Sequence, residues 1–300
     1  MTVFWIILVL LFILLCGTFY LCTLVLYPRK WTDEDTKKRE IGLGHFDPVA
    51  FDAAPHEEVW INSPYGYKLY GIYLPAANSH KLVIMAHGFA YTLYGQAKYV
   101  NLFRSRGYHI LLYDQRAHGR SGGRGATFGY YEKYDLKAVV DWAYEKVGPA
   151  TTIGTMGESY GAGIVLQHGA IDPRVSFIVS DSAWSSLPDL LRYHLKKDYH
   201  LPEFPFLPLG NFLATVLTGM SFDTSMPISD MKEIQTPVFL IHGTKDTFIP
   251  PEMSRSLYNA KIYGIRKLYL SKDAQHGEAF TTHPLEYDQK LGEFLDSIED

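Results

Sequence analysis

One serine, one carboxylate and one histidine in this chain fall at positions where they can combine for acyl transfer. The pentapeptide GESYG, Gly157 to Gly161, has the form G-x-S-x-G. The run TTIGTM before it reads as a strand, and AGIVLQHGA after it as a helix. A strand–turn–helix setting presents the central serine at a sharp turn, and the flanking glycines let the chain make that turn without Cβ clashes. A serine hydroxyl is a weak nucleophile, so Ser159 needs a base to take its proton. PVFLIHG leads into Thr244-Lys245-Asp246, and KLYLSKD into Ala274-Gln275-His276-Gly277. Asp246 and His276 therefore each follow a predicted strand. The expected roles are Ser159 as nucleophile, His276 as general base and then acid, and Asp246 as the group that fixes the His276 tautomer. Asp181, ending the strand candidate SFIVSDS, is the alternative acid. An oxyanion would be met by the backbone N–H of Tyr160 and by that of Phe89, in the loop His87-Gly88-Phe89-Ala90.

These loops need a scaffold, and the pattern supplies one. EVWINS and KLYGIYLPA flank Pro64-Tyr65-Gly66-Tyr67 and predict an antiparallel hairpin. Short apolar runs follow at 81–87, 109–115, 151–157, 176–182, 237–243 and 267–273, as expected of strands covered on both faces. Helical periodicity separates them; in YEKYDLKAVVDWAYEKVG, Leu136, Val139, Val140 and Ala143 share a face. The alternation predicts an α/β fold with a mostly parallel, doubly wound sheet over residues 56–300. It breaks at about 184–233. There Leu187, Leu190, Leu191, His194 and Leu195 fit one helix face with Ser186 as cap, three prolines follow, and NFLATVLTGM reads as a second short helix. An insertion of that kind is expected to form a cap over the site.

Residues 3–27 contain no charge. A helix of that length rises roughly 37 Å, enough to cross a hydrocarbon layer of about 30 Å. No positive region precedes the run, and Tyr27-Pro28-Arg29-Lys30 follows it, so a retained single-span anchor is expected rather than a cleaved signal. Arg29, Lys30, Lys37, Lys38 and Arg39 all lie after the span, which predicts a cytoplasmic domain by the positive-inside rule, with an extracellular domain as the alternative. Residues 28–55 read as a polar connector. Both cysteines, Cys16 and Cys22, lie inside the span, and Leu14-Leu15-Cys16 lacks the small residue expected before a lipid-modified cysteine. A net charge of −4 gives no reason to expect a nucleic-acid partner. Metal-ligand spacings are lacking and no cofactor is implied.

HGFA, YDQRAHGRSGG, GESYG, HGTKDTFIP and the Gln-His-Gly segment together resemble the α/β-hydrolase superfamily. Asp114 to Ser121, read with the N-terminal span, is similar to bacterial membrane-anchored hydrolases grouped with serine aminopeptidase-like proteins. The resemblance covers roughly residues 57–298 and implies an α/β-hydrolase fold with an inserted cap and structural roles for His118 and His242. It implies a serine hydrolase but leaves the substrate open. A small ester, acyl-lipid or short-chain, is the first expectation. Phe204, Phe206, Phe212 and Phe222 with the cap leucines then form an apolar pocket. A short peptide is the alternative, with Glu158, Glu203 or Asp223 to meet its amine. A non-catalytic binding protein is the remaining one. Gly119 to Gly125 lacks phosphate-loop spacing and reads as a flexible loop near the site mouth.

Overall fold

The computed structural model describes residues 1–299. β1 (Glu57–Asn62) and β2 (Lys68–Leu74) form the antiparallel hairpin. They are followed by β3 (Lys81–Ala86), β4 (His109–Tyr113), β5 (Thr152–Glu158), β6 (Phe177–Asp181), β7 (Val238–Gly243) and β8 (Arg266–Ser271). All eight pair in one sheet in the order β1-β2-β4-β3-β5-β6-β7-β8. β2 meets β4 antiparallel, and from β4 to β8 every neighbour is parallel. This is the α/β-hydrolase architecture, and it gathers the loops after the parallel strands along one edge.

Side-chain alternation splits the core into two layers. Leu82, Ile84 and Ala86 of β3 face one layer, and Val83 and Met85 the other. The helices in chain order are α1 (Thr2–Leu26), α2 (Asp33–Gly42), α3 (Pro48–Ala53), α4 (Ala97–Arg104), α5 (Glu132–Val147), α6 (Tyr160–Gly169), α7 (Leu187–Asp198), α8 (Glu203–Thr218), α9 (Pro227–Asp230), α10 (Glu252–Ala260), α11 (Ala279–Thr282) and α12 (Pro284–Glu299). The first layer holds the end of α1 with residues of α5, α6, α7, α8 and α10, and the second holds α3, α4 and α12.

α1 is long and apolar enough to cross a membrane, with a mean hydropathy of 2.7. Its residues through Ile13 are exposed. From Leu14 onward one face docks on the domain, and Thr18, Cys22 and Leu26 are buried there at helical spacing. Residues 28–55, read from sequence as a polar connector, fold instead. Thr32 and Asp35 form a capping box at α2, and Asp47 caps α3. Phe46 and Phe51 pack with Tyr94 in the second layer, which is why the segment is not a loose linker.

The interruption at 184–233 contains α7, α8 and α9. Ser186 caps α7, its Oγ accepting from the Asp189 N–H at 3.3 Å. The second helix is longer than its sequence promised, running through Pro205 and Pro208 to Thr218. Phe204 is non-helical, so the regular helix begins with Pro205, in a first turn where the N–H it lacks has no intrahelical partner.

Asp135 on α5 ties the hairpin to the sheet's first face. Its carboxyl accepts from Ser63 Oγ at 2.6 Å and Tyr67 Oη at 2.5 Å. Burial pushes this carboxyl up to about 7, although the two hydroxyls pull the other way. The unfolded chain ionises it near ~3.9, so the folded state binds the extra proton and stability falls as pH rises from there to about 7. Asp135→Asn cannot ionise. The advantage of the native chain over this variant should therefore shrink by up to about 1.4 kcal/mol per pH unit across that window. Melting both proteins at stepped pH measures it; a constant offset between the curves would refute the assignment.

Candidate active site

Ser159 sits at the junction of β5 and α6 with φ 55° and ψ −112°, a left-handed conformation that a serine rarely adopts. Two close approaches enforce it. A Cβ on Gly161 would lie 2.1 Å from the Ala86 carbonyl oxygen, and one on Gly157 would lie 2.2 Å from the Gly161 oxygen. α6 can approach β3 this closely only because Gly161 lacks a side chain, and β5 can turn so tightly into α6 only because Gly157 does. The Ser159 N–H donates to the Asp181 carbonyl at 2.8 Å, pinning the turn to β6.

His276 Nε2 lies 2.8 Å from Ser159 Oγ, and its Nδ1 lies 2.6 Å from Asp246 Oδ2. A carboxylate only accepts, so Nδ1 carries the proton and Nε2 is left to accept from the serine hydroxyl. Asp246 has further partners: Oδ1 accepts from the Phe248 and Ile249 N–H groups at 2.8 Å each, and His242 Nε2 stands 3.1 Å from Oδ2. Burial alone would raise this carboxyl, but the hydrogen bonds from His242 and His276 hold it well below the ordinary aspartate value. His242 Nε2 also faces the Ile249 carbonyl at 2.8 Å, so this nitrogen is the protonated one and Nδ1 accepts from Ser254 Oγ at 2.7 Å. His242 thus joins Asp246 to Ser254 and the Ile249 carbonyl, a contact set consistent with a structural role. Its only sequence signal is its place four residues before Asp246.

Asp181 is fully buried and engaged elsewhere. Its carboxyl accepts from Ser182 Oγ at 2.9 Å, Tyr99 Oη at 3.2 Å and Tyr287 Oη at 3.1 Å. Burial, with the charge of Glu158, raises it above the ordinary value. Beside it Lys98 Nζ meets Glu158 Oε2 at 2.6 Å and donates to the Gly277 carbonyl at 2.9 Å. Burial works against the Lys98 charge, but Glu158, then Asp181 and Glu40, more than offset this and raise it above the ordinary lysine value. The sequence singles out Glu158 and Asp181 but carries no local signal for the link to Lys98, because Lys98 and Gly277 are 179 residues apart.

The loop after β3 lies against the elbow. Ser159 Cβ is 3.7 Å from the Cβ position of Gly88, and the Phe89 ring packs on Tyr160 at 5.5 Å. His87 braces the loop through its contacts to the Gly88 carbonyl at 2.8 Å and the Gln115 N–H at 3.0 Å. Burial and neighbouring His118 push His87 down to about 3, so it stays neutral. His118 itself packs on Phe89 and Tyr160. The Tyr160 hydroxyl donates to Glu132 at 2.8 Å, which fixes the ring in the core.

Above Ser159 opens a cavity of about 250 Å³. Phe206 and Phe222 line it with Trp184 and the α7 leucines, whereas Phe204 and Phe212, expected in the same pocket, point outward and are 76% and 63% exposed. Phe204 lies outside the regular helix, and Phe212 is on the opposite face of α8 from Gly210 and Leu207. Residues of α1 complete the wall. The loop 119–125 packs near the end of that helix, where Ala126 N–H donates to the Leu26 carbonyl at 2.7 Å.

Residues 49–200 match the sequence profile of the family described as X-Pro dipeptidyl-peptidase (S15 family). Over 279 residues the chain is 32% identical to protein YqkD of Bacillus subtilis (strain 168), covering 92% of this chain and 91% of that one. It is 26% identical over 192 residues to the lysophosphatidylserine lipase ABHD12 of Rattus norvegicus, covering 61% of this chain and 46% of that one. Among solved structures, the Pyrococcus furiosus esterase Pf2001 superposes with a TM-score of 0.69 at 26% identity, over 84% of this chain and 96% of that one.

The close approach of α6 to β3 carries a direct test. Gly161→Ala places a methyl against the Ala86 carbonyl and should lower stability by about 1–3 kcal/mol or more. Gly42→Ala, with open space around its Cβ position, should stay within about 0.5 kcal/mol of the native chain. Equal melting temperatures for the two variants would remove this constraint from the elbow.

Proposed function

The chain belongs to the X-Pro dipeptidyl-peptidase (S15) family, and on that footing we propose that it is a membrane-tethered serine hydrolase that cleaves carboxylic esters through an acyl-enzyme. The observation that carries the reading is the line Asp246–His276–Ser159 ending in an apolar cavity. His276 Nε2 takes the Ser159 proton as Oγ attacks the ester carbonyl. The N–H groups of Phe89 and Tyr160 receive the developing oxyanion. As the acyl C–O bond breaks, His276 returns the proton to the leaving alcohol. Water then repeats the sequence on the acyl-serine and releases the carboxylic acid. Asp246 stays ionised throughout and stabilises the imidazolium; its partners supply that stability before substrate arrives.

Ester cleavage is supported by the names of two relatives, an esterase and a lysophosphatidylserine lipase. The family description favours a second reading, a peptidase. The three carboxylates suited to a peptide amine are all engaged away from the cavity wall. Glu158 is held by Lys98, Glu203 by Arg192 at 2.8 Å, and Asp223 by Asn211 at 3.2 Å. The Lys and Arg residues after α1 support a cytoplasmic placement of the domain.

A fluorophosphonate probe should label the native chain and leave Ser159→Ala unlabelled; equal labelling of both would defeat the nucleophile assignment. Asp246→Asn should lower kcat by about 10³–10⁴-fold, with a much smaller loss for Asp181→Asn, and the reverse ranking would transfer the role. p-Nitrophenyl esters beside aminoacyl nitroanilides separate the two readings: faster turnover of the anilides would favour the peptidase. On intact cells, external protease should leave the domain uncut.

A further inference from the structure

The membrane helix is part of the cavity. Thr18, Leu21, Cys22 and Val25 of α1 lie on one face and line the same space that Ser159 lines. The opposing surface is α8. Cys22 Sγ donates to the Gly210 carbonyl at 3.7 Å, and a Cβ on Gly210 would lie 3.9 Å from Thr18 Cγ2, so the helices cross with little between them. A tether needs none of this.

Length decides where this wall stands. α1 has 25 residues, of which those through Ile13 are exposed. Twelve residues of exposed helix rise only about 18 Å, short of a hydrocarbon layer of about 30 Å. If α1 spans, several residues of its docked face must also lie within the layer, and the cap packed on them must enter with it. The cap has a surface fit for that environment. Phe212 and Val216, one turn apart on α8, are 63% and 67% exposed, and Phe204 is 76% exposed. Contiguous apolar side chains on a helix already packed against a membrane span are matched by lipid and not by water.

We propose that the cavity is loaded from the bilayer: α1 and α8 seat its mouth in the hydrocarbon layer, and the substrate is a long-chain acyl ester of a membrane lipid whose chain lies along the Thr18–Val25 face with its carbonyl at Ser159. This rests on the serine-hydrolase reading above and uses the same bond changes. The cavity of about 250 Å³ exceeds an apolar cavity of ~150 Å³ that takes up benzene. His194 and Asp198, hydrogen-bonded at 2.6 Å, are a polar pair on its lining. They give it a polar margin, as an ester headgroup at the interface requires.

The test uses the full chain in phosphatidylcholine vesicles, with p-nitrophenyl palmitate dissolved in the bilayer and p-nitrophenyl acetate in the water. Cys22→Trp and Val25→Trp fill the α1 wall and should lower the palmitate-to-acetate ratio of kcat/KM by at least about tenfold. Leu15→Trp, on the lipid-facing side, should leave the ratio unchanged. Phe212→Asp alters only the exposed face of α8 and should lower the ratio in vesicles as well. Fluorophosphonate labelling of each variant reports an intact site. An unchanged ratio in labelled Cys22→Trp or Val25→Trp overturns the lining role of α1, and an unchanged ratio in labelled Phe212→Asp overturns loading from the bilayer. Should both tryptophan variants fail to fold, the surface variant decides alone. Failure of the native chain to label would strike the serine-hydrolase reading instead.

Discussion

The distance between α6 and β3 is the constraint from which the site follows. With Gly161 against the Ala86 carbonyl, the chain leaving β5 has no room for an ordinary turn, and Ser159 is forced to positive φ. Such a conformation costs on the order of 1–3 kcal/mol and persists only where its surroundings over-determine it. Here the surroundings are the Asp181 carbonyl bonded to the Ser159 N–H, the packed Tyr160 ring and the two flanking strands. That strain aims Oγ at His276. A looser turn would keep the same residues and lose the alignment.

Around this point the molecule separates two environments. Below Ser159 lie Lys98, Glu158, Asp181, Tyr99 and Tyr287, linked by hydrogen bonds or ion pairs, so the buried charges are compensated. Above it the cavity wall is mostly aromatic and aliphatic. His276 stands at the boundary, with the Phe248 ring 4.9 Å away on one side and the Asp246 carboxylate on the other. The Ser159–His276 hydrogen bond therefore has fixed polar partners behind it and a mostly apolar wall in front.

What the sequence revealed was local in origin. The eight strands, the strand-to-helix turn at GESYG and the loop positions of Asp246 and His276 all follow from patterns over five to ten residues. The remainder depended on contacts between distant segments. Nothing near Lys98 announces that the Gly277 carbonyl will accept its hydrogen bond. Phe46 and Phe51 are too few in a charged stretch to signal a helix pair, yet Tyr94 and its neighbours give them a place to bury. Composition counted Phe204 and Phe212 with Phe206 and Phe222, because it does not record helix rotation or the break at Phe204. The hydropathy of α1 predicted a span and said nothing of which face would meet the cap.

The folded segment between α1 and β1 has a geometric consequence. A flexible leash of 28 residues would let its cargo wander over roughly 30 Å. Here Trp31 N–H is bonded to the Ala90 carbonyl at 3.0 Å, Trp31 stacks on Tyr91, and α2 and α3 carry the chain on to the far side of the sheet. The domain is splinted to its own N-terminal helix. Rotation of the domain about the axis of α1 is thereby fixed, so the edge of the sheet that carries Ser159 keeps one direction relative to the helix, and any tilt of α1 becomes the tilt of the whole sheet.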